Sequence, residues 1–142
     1  MKTARRRARE IALQSLYAWL LGGDDALEQA RSLEGWERCD SRFAEELIRG
    51  VMAGRAALEA QVAPILDRSL ASLSPVERAI LLIGAHELAS RRETPFKVVL
   101  NEAIELGKSF GGTDGYKFVN GVLEKLAAEL RPEEIARARQ TA

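Results

Sequence analysis

Four arginines stand within five positions near the start of the chain, in the stretch RRRARE. Guanidinium groups bind phosphate through parallel hydrogen bonds, so the run is suited to a polyanion such as nucleic acid. At about 100° per helical residue, the four side chains point to different sides, whereas a solvated face gathers its charges on one side. The alternative is a disordered, solubilising terminus, and the run alone leaves both open. The candidate RNA-binding residues here are Arg5, Arg6, Arg7 and Arg9.

A second candidate feature is the stretch TDGYKFVNGVLEK, residues 113–125. Its helical periodicity assigns the core face to Val119, Val122, Leu123, Leu126 and Leu130. Phe118 lies about 100° from the centre of that face and has lysines nearby. Such a ring is suited to stacking a nucleic-acid base, although a flank residue covered by a neighbouring helix fits the same pattern. Asp114 is most simply an N-cap.

Catalytic and metal-binding patterns are poorly represented. The single histidine, His86, and the single cysteine, Cys39, stand far apart and match no zinc-ligand spacing. His86 is better explained as a packing residue. The triplet GKS at 107–109 ends a phosphate-binding loop motif only if a glycine stands five positions before it, and Glu102 stands there instead. We therefore expect a protein that is not an enzyme and needs no cofactor or metal.

Composition limits the class of protein. The chain has 142 residues, 46% of them hydrophobic and 30% charged, which suits one soluble domain with its own core. Net charge is zero, yet residues 1–10 hold five basic side chains against one acid, which indicates a localised anion contact. No apolar stretch is long enough to span a bilayer, and the N-terminus lacks the order of a signal peptide. One cysteine excludes an internal disulfide and fits a reducing cytoplasm.

The helix start and stop signals in the sequence predict an all-α fold of six to eight helices, which would position these residues. Gly22–Gly23 ends a first helix that begins near Ala4, and Ser74–Pro75 begins another with Glu77 placed for a capping box. Thr94–Pro95 repeats that start signal. The other expected helices cover about 25–33, 41–59 and 115–130, followed by a frayed helical tail after Pro132. We expect a single compact domain, 1–142, with helical halves of about 1–72 and 73–142.

The first helix is apolar on nearly every side. Its core face is formed by Leu13, Leu16, Tyr17 and Leu20, and further apolar residues on other sides are Ile11, Trp19 and Leu21. Such a helix is either central in the fold or covered by a partner.

Several segments together resemble the NusB family of bacterial transcription antitermination factors. They are RRRAREIALQSLYAW, SPVERAILLIGAHEL, PFKVVLNEAIELGKSFG and KFVNGVLEK, which occur in the family's order over most of residues 4–130. The resemblance implies two packed helical bundles, and binding to the boxA element of nascent ribosomal RNA transcripts. It also implies a partner, the ribosomal protein NusE, and assembly with other Nus factors on RNA polymerase.

The resemblance also implies roles for individual residues. The four arginines would contact RNA, and that surface would be extended by Asp114, Tyr116, Lys117 and Phe118. The NusE face would draw on Tyr17, Leu21, Val76, Glu77 and Ile80. The stretch GGTDG departs from the family by its extra glycines, and some members self-associate as homodimers over the RNA site.

Two other classes of protein compete with this interpretation. One is an RNA-modifying enzyme with a NusB-like accessory domain, but we expect no methyltransferase domain because the sequence ends at Ala142. The other is a helical interaction scaffold without sequence-specific RNA binding.

Overall fold

The structure is a computed structural model that describes residues 2–112 and 115–141. Within those ranges the chain forms α-helices and short 3-10 turns, with no strand, so the predicted all-α class is confirmed. The helices are α1 (Ala4–Leu20), α2 (Ala26–Arg31), α3 (Ser41–Val62), α4 (Pro75–Ser90), α5 (Phe96–Phe110), α6 (Gly115–Leu130) and α7 (Pro132–Thr141). One-turn 3-10 helices lie at Trp36–Arg38, Ala63–Ile65 and Leu70–Ser72.

The predicted stop and start signals act as expected at two helix ends. Gly22, just beyond α1, has a φ of 96°, the left-handed conformation that glycine adopts without strain. At the start of α4, Ser74 Oγ accepts a hydrogen bond from the Glu77 backbone N–H at 3.1 Å and donates one to the Glu77 carboxylate at 2.8 Å. This pairing fixes where α4 begins.

One expectation about a helix end was wrong. Thr94 does not cap α5, because its side chain is buried and its hydroxyl has no hydrogen-bond partner among the residues that the structure describes. The backbone N–H of Phe96 instead donates to the carboxylate of Glu134 at 2.7 Å, so a residue of α7 caps α5. The helical tail expected after Pro132 is α7, which packs on α6 and supplies this cap.

The core is built around α4, whose residues 79–88 are all buried. This helix packs against α1, α3, α5 and α6. It runs antiparallel to α1, because Arg9 of α1 pairs with Glu87 late in α4 while Tyr17 lies beside Val76 at its start. Because α1 packs directly on α4, the two predicted halves share one core. The division near residue 72 stays a prediction.

A buried arginine closes the C-terminal end of α4. Arg131 is 1% exposed and donates hydrogen bonds to backbone carbonyls at the end of α4 and in the following turn, those of Glu87, Leu88, Arg91 and Thr94. It also pairs with Glu134 at 2.9 Å. Helix C-termini leave carbonyls without partners, and Arg131 satisfies several of them at once.

His86 is a packing residue, as its sequence context predicts. It is 7% exposed, its imidazole lies against the backbone of Gly50, and its Nε2 lies 2.8 Å from a carboxylate oxygen of Glu46. A side chain at position 50 would occupy the space of the imidazole. In the described ranges no group of three histidine, cysteine or acidic side chains is placed to hold a metal ion. None of the helices described is long and apolar enough to cross a membrane.

Candidate nucleic-acid interface

The arginine run occupies the first two turns of α1. Thr3 caps this helix, because its Oγ1 accepts a hydrogen bond from the backbone N–H of Arg6 at 3.0 Å. Arg5 points toward the start of α3, where its Nε lies 3.7 Å from Asp40 and its guanidinium lies 4.4 Å from the centre of the Phe43 ring. About half of the Arg5 side chain stays exposed, so a ligand can reach it.

Arg6 points to the opposite side, onto α5. Its Nε and one terminal nitrogen donate to the two carboxylate oxygens of Glu102 at 3.1 and 2.8 Å. This hydrogen bonding raises the pKa of the Arg6 guanidinium, so it is charged at any physiological pH. The Arg6 side chain remains 39% exposed at the edge of a small cleft of about 100 Å³ between α1 and α5.

Arg7 has a different environment from its neighbours. It is partly exposed and makes no side-chain hydrogen bond or ion pair with any residue in 2–112 or 115–141. Because it has no acceptor among the described residues, its guanidinium is available to a phosphate at no cost to an internal pair there. We refer to Arg5, Arg6 and Arg7 as the arginine arm.

Arg9 requires a correction, because it does not join the arginine arm. It is 4% exposed, and its guanidinium donates to both carboxylate oxygens of Glu87 at 2.9 and 2.8 Å. A second carboxylate, Glu102, lies 3.8 Å away, and the Phe43 ring lies 4.9 Å away. A phosphate has no access to a group enclosed in this way. The predicted direct RNA contact is therefore replaced by a structural role: Arg9 fixes the start of α1 on α4.

The second predicted RNA-binding cluster begins α6. Tyr116 packs on Gly107 of α5, so closely that a Cβ at position 107 would lie 2.7 Å from the Tyr116 Cβ. The Nζ of Lys108 lies 5.4 Å from the centre of the Tyr116 ring. Lys117 is exposed. Asp114 lies outside the described residues.

Phe118 faces a different side of α6 from Tyr116, because two helical residues are separated by about 200°. It is partly exposed and packs against the core. The guanidinium of Arg68, from the connection between the 3-10 turns 63–65 and 70–72, lies 4.5 Å from the centre of the Phe118 ring. The Phe118 ring therefore lies off the core face, as predicted. It is not open to solvent on that side, however, because Arg68 of the loop covers it.

Both clusters adjoin α5, because Tyr116 packs on Gly107 while Leu106 and Ser109 line the cleft beside Arg6. The arm stands beside the C-terminal half of α4, whereas the start of α6 lies beside the start of α4, where Gly115 adjoins Glu77. The C-terminal end of α1 reaches that same end of the fold, since Tyr17 lies beside Val76. From Arg6 to Tyr17 is eleven residues, or about 16 Å of helix. The arm and the C-terminal end of α1 are therefore separated by most of that helix.

An apolar groove of about 430 Å³ lies near the C-terminal end of α1. Its lining is mostly apolar and consists of Leu13, Gln14, Tyr17, Ala18, Gln29, Leu33, Val76 and Phe110. Tyr17 and Phe110 are 37% and 38% exposed, and Leu21, one turn beyond Tyr17, is 59% exposed. Large apolar side chains that remain exposed together are typical of a protein-binding surface.

The groove brings together part of the predicted partner face. Tyr17 and Val76 line it and Leu21 follows it, whereas the partly exposed Glu77 is hydrogen-bonded to Ser74. Ile80 requires a correction, because it is 1% exposed within the core and presents no surface to a partner. Phe110 was not foreseen, although a phenylalanine at the last position of a helix, directly before two glycines, is a signal that the sequence offers.

Comparison with known proteins identifies the family. The family model of NusB matches residues 6–128. The chain belongs to the NusB family. The transcription antitermination protein NusB of Paraburkholderia xenovorans is 50% identical over 143 residues, which cover 99% of each chain. Membership of this family of antitermination factors confirms the prediction that the protein is not an enzyme.

Two solved structures show that the NusB-like fold extends over almost the whole chain. NusB of T. maritima superposes with a TM-score of 0.82 at 30% identity, covering 96% of this chain and 99% of the other. A crystal structure of antitermination factors NusB and NusE in complex with double-stranded RNA gives a TM-score of 0.80 at 25% identity, covering 91% of this chain and 99% of that one. In that relative, a NusB fold is found together with both NusE and RNA.

Proposed function

We propose that this antitermination factor binds the boxA element of nascent ribosomal RNA transcripts together with NusE. In this function it joins other Nus factors on RNA polymerase in the cytoplasm. The observation that carries the proposal is the arrangement along α1: a partly exposed arginine arm begins the helix and an exposed apolar groove lies near its end. One helix thus offers a phosphate-binding end and a protein-binding end. The similarity to a NusB found together with NusE and RNA supports binding of both kinds of partner.

The arginine arm supplies the phosphate contacts in this proposal. Arg5 and Arg6 already pair with carboxylates, so RNA phosphates replace Asp40 and Glu102 as their acceptors, while Arg7 has no acceptor to give up among residues 2–112 and 115–141. Arg9 stays with Glu87 and positions the arm. The ion pairs that Arg5 and Arg6 make in the free protein order the arm before RNA arrives. This order reduces the entropy cost of binding.

The start of α6 supplies the base-stacking surface. Phe118 is the ring that receives a base, and Tyr116 and Lys117 extend the surface toward α5, with Asp114 before them. Stacking on aromatic side chains is how proteins recognise splayed bases of single-stranded RNA. NusE occupies the apolar groove through Tyr17, Leu21 and Val76, joined by Phe110. Glu77 lies at the border of the two surfaces.

A salt titration with Arg7→Ala tests the RNA-binding function. Each phosphate contact to a single strand contributes about 0.7 to the slope of log affinity against log salt. We therefore expect Arg7→Ala to weaken binding of single-stranded boxA RNA and to lower the slope by about that amount. Fluorescence anisotropy at four or five salt concentrations measures both quantities.

Arg49→Ala is the matched control for this titration. Arg49 is an exposed arginine on the solvent side of α3, and like Arg7 it has no side-chain hydrogen bond or ion pair in the described ranges. It should leave the slope unchanged. A scrambled strand and a duplex form of the same RNA complete the experiment. Equal affinity for boxA and scrambled RNA favours the interaction-scaffold alternative, and an unchanged slope for Arg7→Ala removes the arm from the phosphate contacts.

A further inference from the structure

Arg68 occupies the place on Phe118 that a stacked base would need. Phe118 packs against the core, and the Arg68 guanidinium lies over its ring at 4.5 Å from the centroid. Arginine stacks on aromatic rings through its planar guanidinium, which is also how it stacks on nucleic-acid bases. A base that reaches this ring meets Arg68 first.

The contacts that hold Arg68 are weak ones. Its Nε donates to Asp67, the preceding residue, at 3.0 Å, and the two side chains are 49% and 76% exposed. This hydrogen bond lowers the pKa of Asp67 from its ordinary value. An ion pair between exposed neighbours contributes little to stability, and both residues stand in the short connection between two 3-10 turns. Arg68 is therefore free to exchange its partners when a better acceptor arrives.

RNA brings both a competitor and a better acceptor. A base presents a larger flat surface to Phe118 than a guanidinium does, and its own phosphate lies within one nucleotide of it. A doubly hydrogen-bonded guanidinium–phosphate pair is stronger than the contact with Asp67, which engages a single nitrogen of Arg68. Displacement from the ring thus leaves Arg68 beside the backbone of the strand that displaced it.

We propose that Arg68 covers the Phe118 ring in the free protein, yields it to an RNA base, and then binds the phosphate beside that base. This proposal rests on the RNA-binding function proposed above and adds a residue from the 66–69 connection to the interface. Arg68 acts there as a specificity-determining residue as well, because only a base that stacks well displaces it. The arginine arm binds phosphates, which every nucleotide carries, and makes no such discrimination.

Arginine side-chain NMR tests the exchange directly. In the free protein, the Nε–Hε resonance of Arg68 should be displaced by the Phe118 ring current, and Phe118→Ala should remove that displacement. On addition of single-stranded boxA RNA, the resonance should leave its ring-shifted position. Arg55 is the internal control, because its guanidinium lies 5.1 Å from the Trp19 ring and should keep its shift when RNA is added.

Binding titrations test the phosphate contact. Arg68→Ala should weaken binding of boxA RNA severalfold and lower the log–log salt slope by about 0.7, whereas Arg68→Lys should keep the slope because it keeps the charge. Arg49→Ala should leave the slope unchanged. Wild-type affinity and slope for Arg68→Ala would overturn the proposal. Tighter binding of Arg68→Ala than of the wild type would also overturn it, because Arg68 would then only obstruct the ring.

Failure of this inference is distinguishable from failure of the proposed function. If Phe118→Ala weakens RNA binding while the Arg68 resonance and the Arg68→Ala slope stay unchanged, only the role of Arg68 is overturned. If Phe118→Ala itself binds boxA RNA like the wild type, base stacking on this ring is wrong and the role of Arg68 falls with it. Thermal unfolding of each variant verifies that it is folded, and Arg68, exposed in a connection, should be replaceable without loss of the fold.

Discussion

The two ends of α1 differ in how their side chains are satisfied before any ligand binds. At the N-terminal end, three of the four arginines are paired with carboxylates from α4, α5 and the start of α3. At the C-terminal end, Tyr17 and Leu21 stay exposed beside Phe110. In the proposed function the first end exchanges one anion for another on binding RNA, and the second removes apolar surface from water on binding NusE. Affinity at the first should fall with salt, and affinity at the second should respond to salt only weakly.

The arginine run itself contains a second contrast, between Arg9 and the arm. Arg5 and Arg6 hold their acids at the surface, where pairs contribute little to stability, whereas Arg9 and Glu87 are both buried. Residues of one type, four positions apart at most, therefore serve different purposes. In the proposed function the arm binds phosphate, and Arg9 keeps the arm in place.

Replacement of Arg9 should have the largest effect on stability. Arg9→Ala leaves the buried carboxylate of Glu87 without its partner, and removing one member of a buried pair costs about 3–5 kcal/mol of unfolding free energy. Urea unfolding followed by circular dichroism measures the loss. Arg5→Ala is the control within the same run and should cost at most about 1 kcal/mol.

The double variant Arg9→Met with Glu87→Leu tests the reason for this loss of stability. It distinguishes the cost of leaving Glu87 buried without a partner from the cost of losing the ion pair itself. A buried ion pair replaced by apolar residues of similar volume often costs little, so the double variant should be more stable than Arg9→Ala. If Arg9→Ala lowers the unfolding free energy no more than Arg5→Ala does, the contrast between Arg9 and the arm is wrong. Arg9 would then be grouped with Arg5, Arg6 and Arg7.

Replacement of Phe110 should separate the two ends functionally. Phe110→Ala removes an exposed aromatic side chain from the groove, and truncation of such a residue at the centre of an interface costs about 2 kcal/mol, or about 30-fold in affinity. We expect this loss for NusE, at low and high salt alike, with RNA binding in the absence of NusE unchanged. Isothermal titration calorimetry at two salt concentrations measures both.

Val98→Ala is the matched control for Phe110, since Val98 is a 40% exposed apolar residue of the same helix that does not line the groove. It should bind NusE like the wild type. Sedimentation velocity of the free protein belongs to the same experiment, because a homodimer that Phe110→Ala dissociates would assign the groove to self-association.

The helices were predictable because their signals are local. Gly22 and the Ser74–Glu77 box act within one turn, and the periodicity of α6 places its core face correctly. The capping of α5 was not predictable in this way, since Glu134 reaches Phe96 from 38 residues away. Local sequence also identifies a cap at Thr94, but burial of that side chain prevents it.

The site was predictable in its residue types and less so in its contacts. The run of arginines is visible in the sequence, but the acid that each arginine meets depends on how α1 packs against the rest of the fold. Arg9 meets Glu87 at a separation of 78 residues, and Arg6 meets Glu102 at 96. The same applies to Phe118, whose position off the core face follows from periodicity, whereas its cover by Arg68 follows from the tertiary fold.

Replacement of Glu102 should have the smallest effect of these variants. The direction in which it changes RNA affinity is nevertheless informative. Glu102 holds Arg6 through two hydrogen bonds, so RNA must compete with it for that guanidinium. Glu102→Gln removes the competing charge, and since a partly exposed pair contributes about 0.2–1 kcal/mol, boxA RNA should bind about 1.4-fold to fivefold tighter. Glu105→Gln removes the same charge from the same cleft without touching an arginine hydrogen bond, and should have a smaller effect. If Glu102→Gln instead weakens RNA binding, Glu102 positions Arg6 rather than competing for it. Glu102 would then orient Arg6 as Glu87 orients Arg9. Arg6 and Arg9 would in that case differ only in how deeply they are buried.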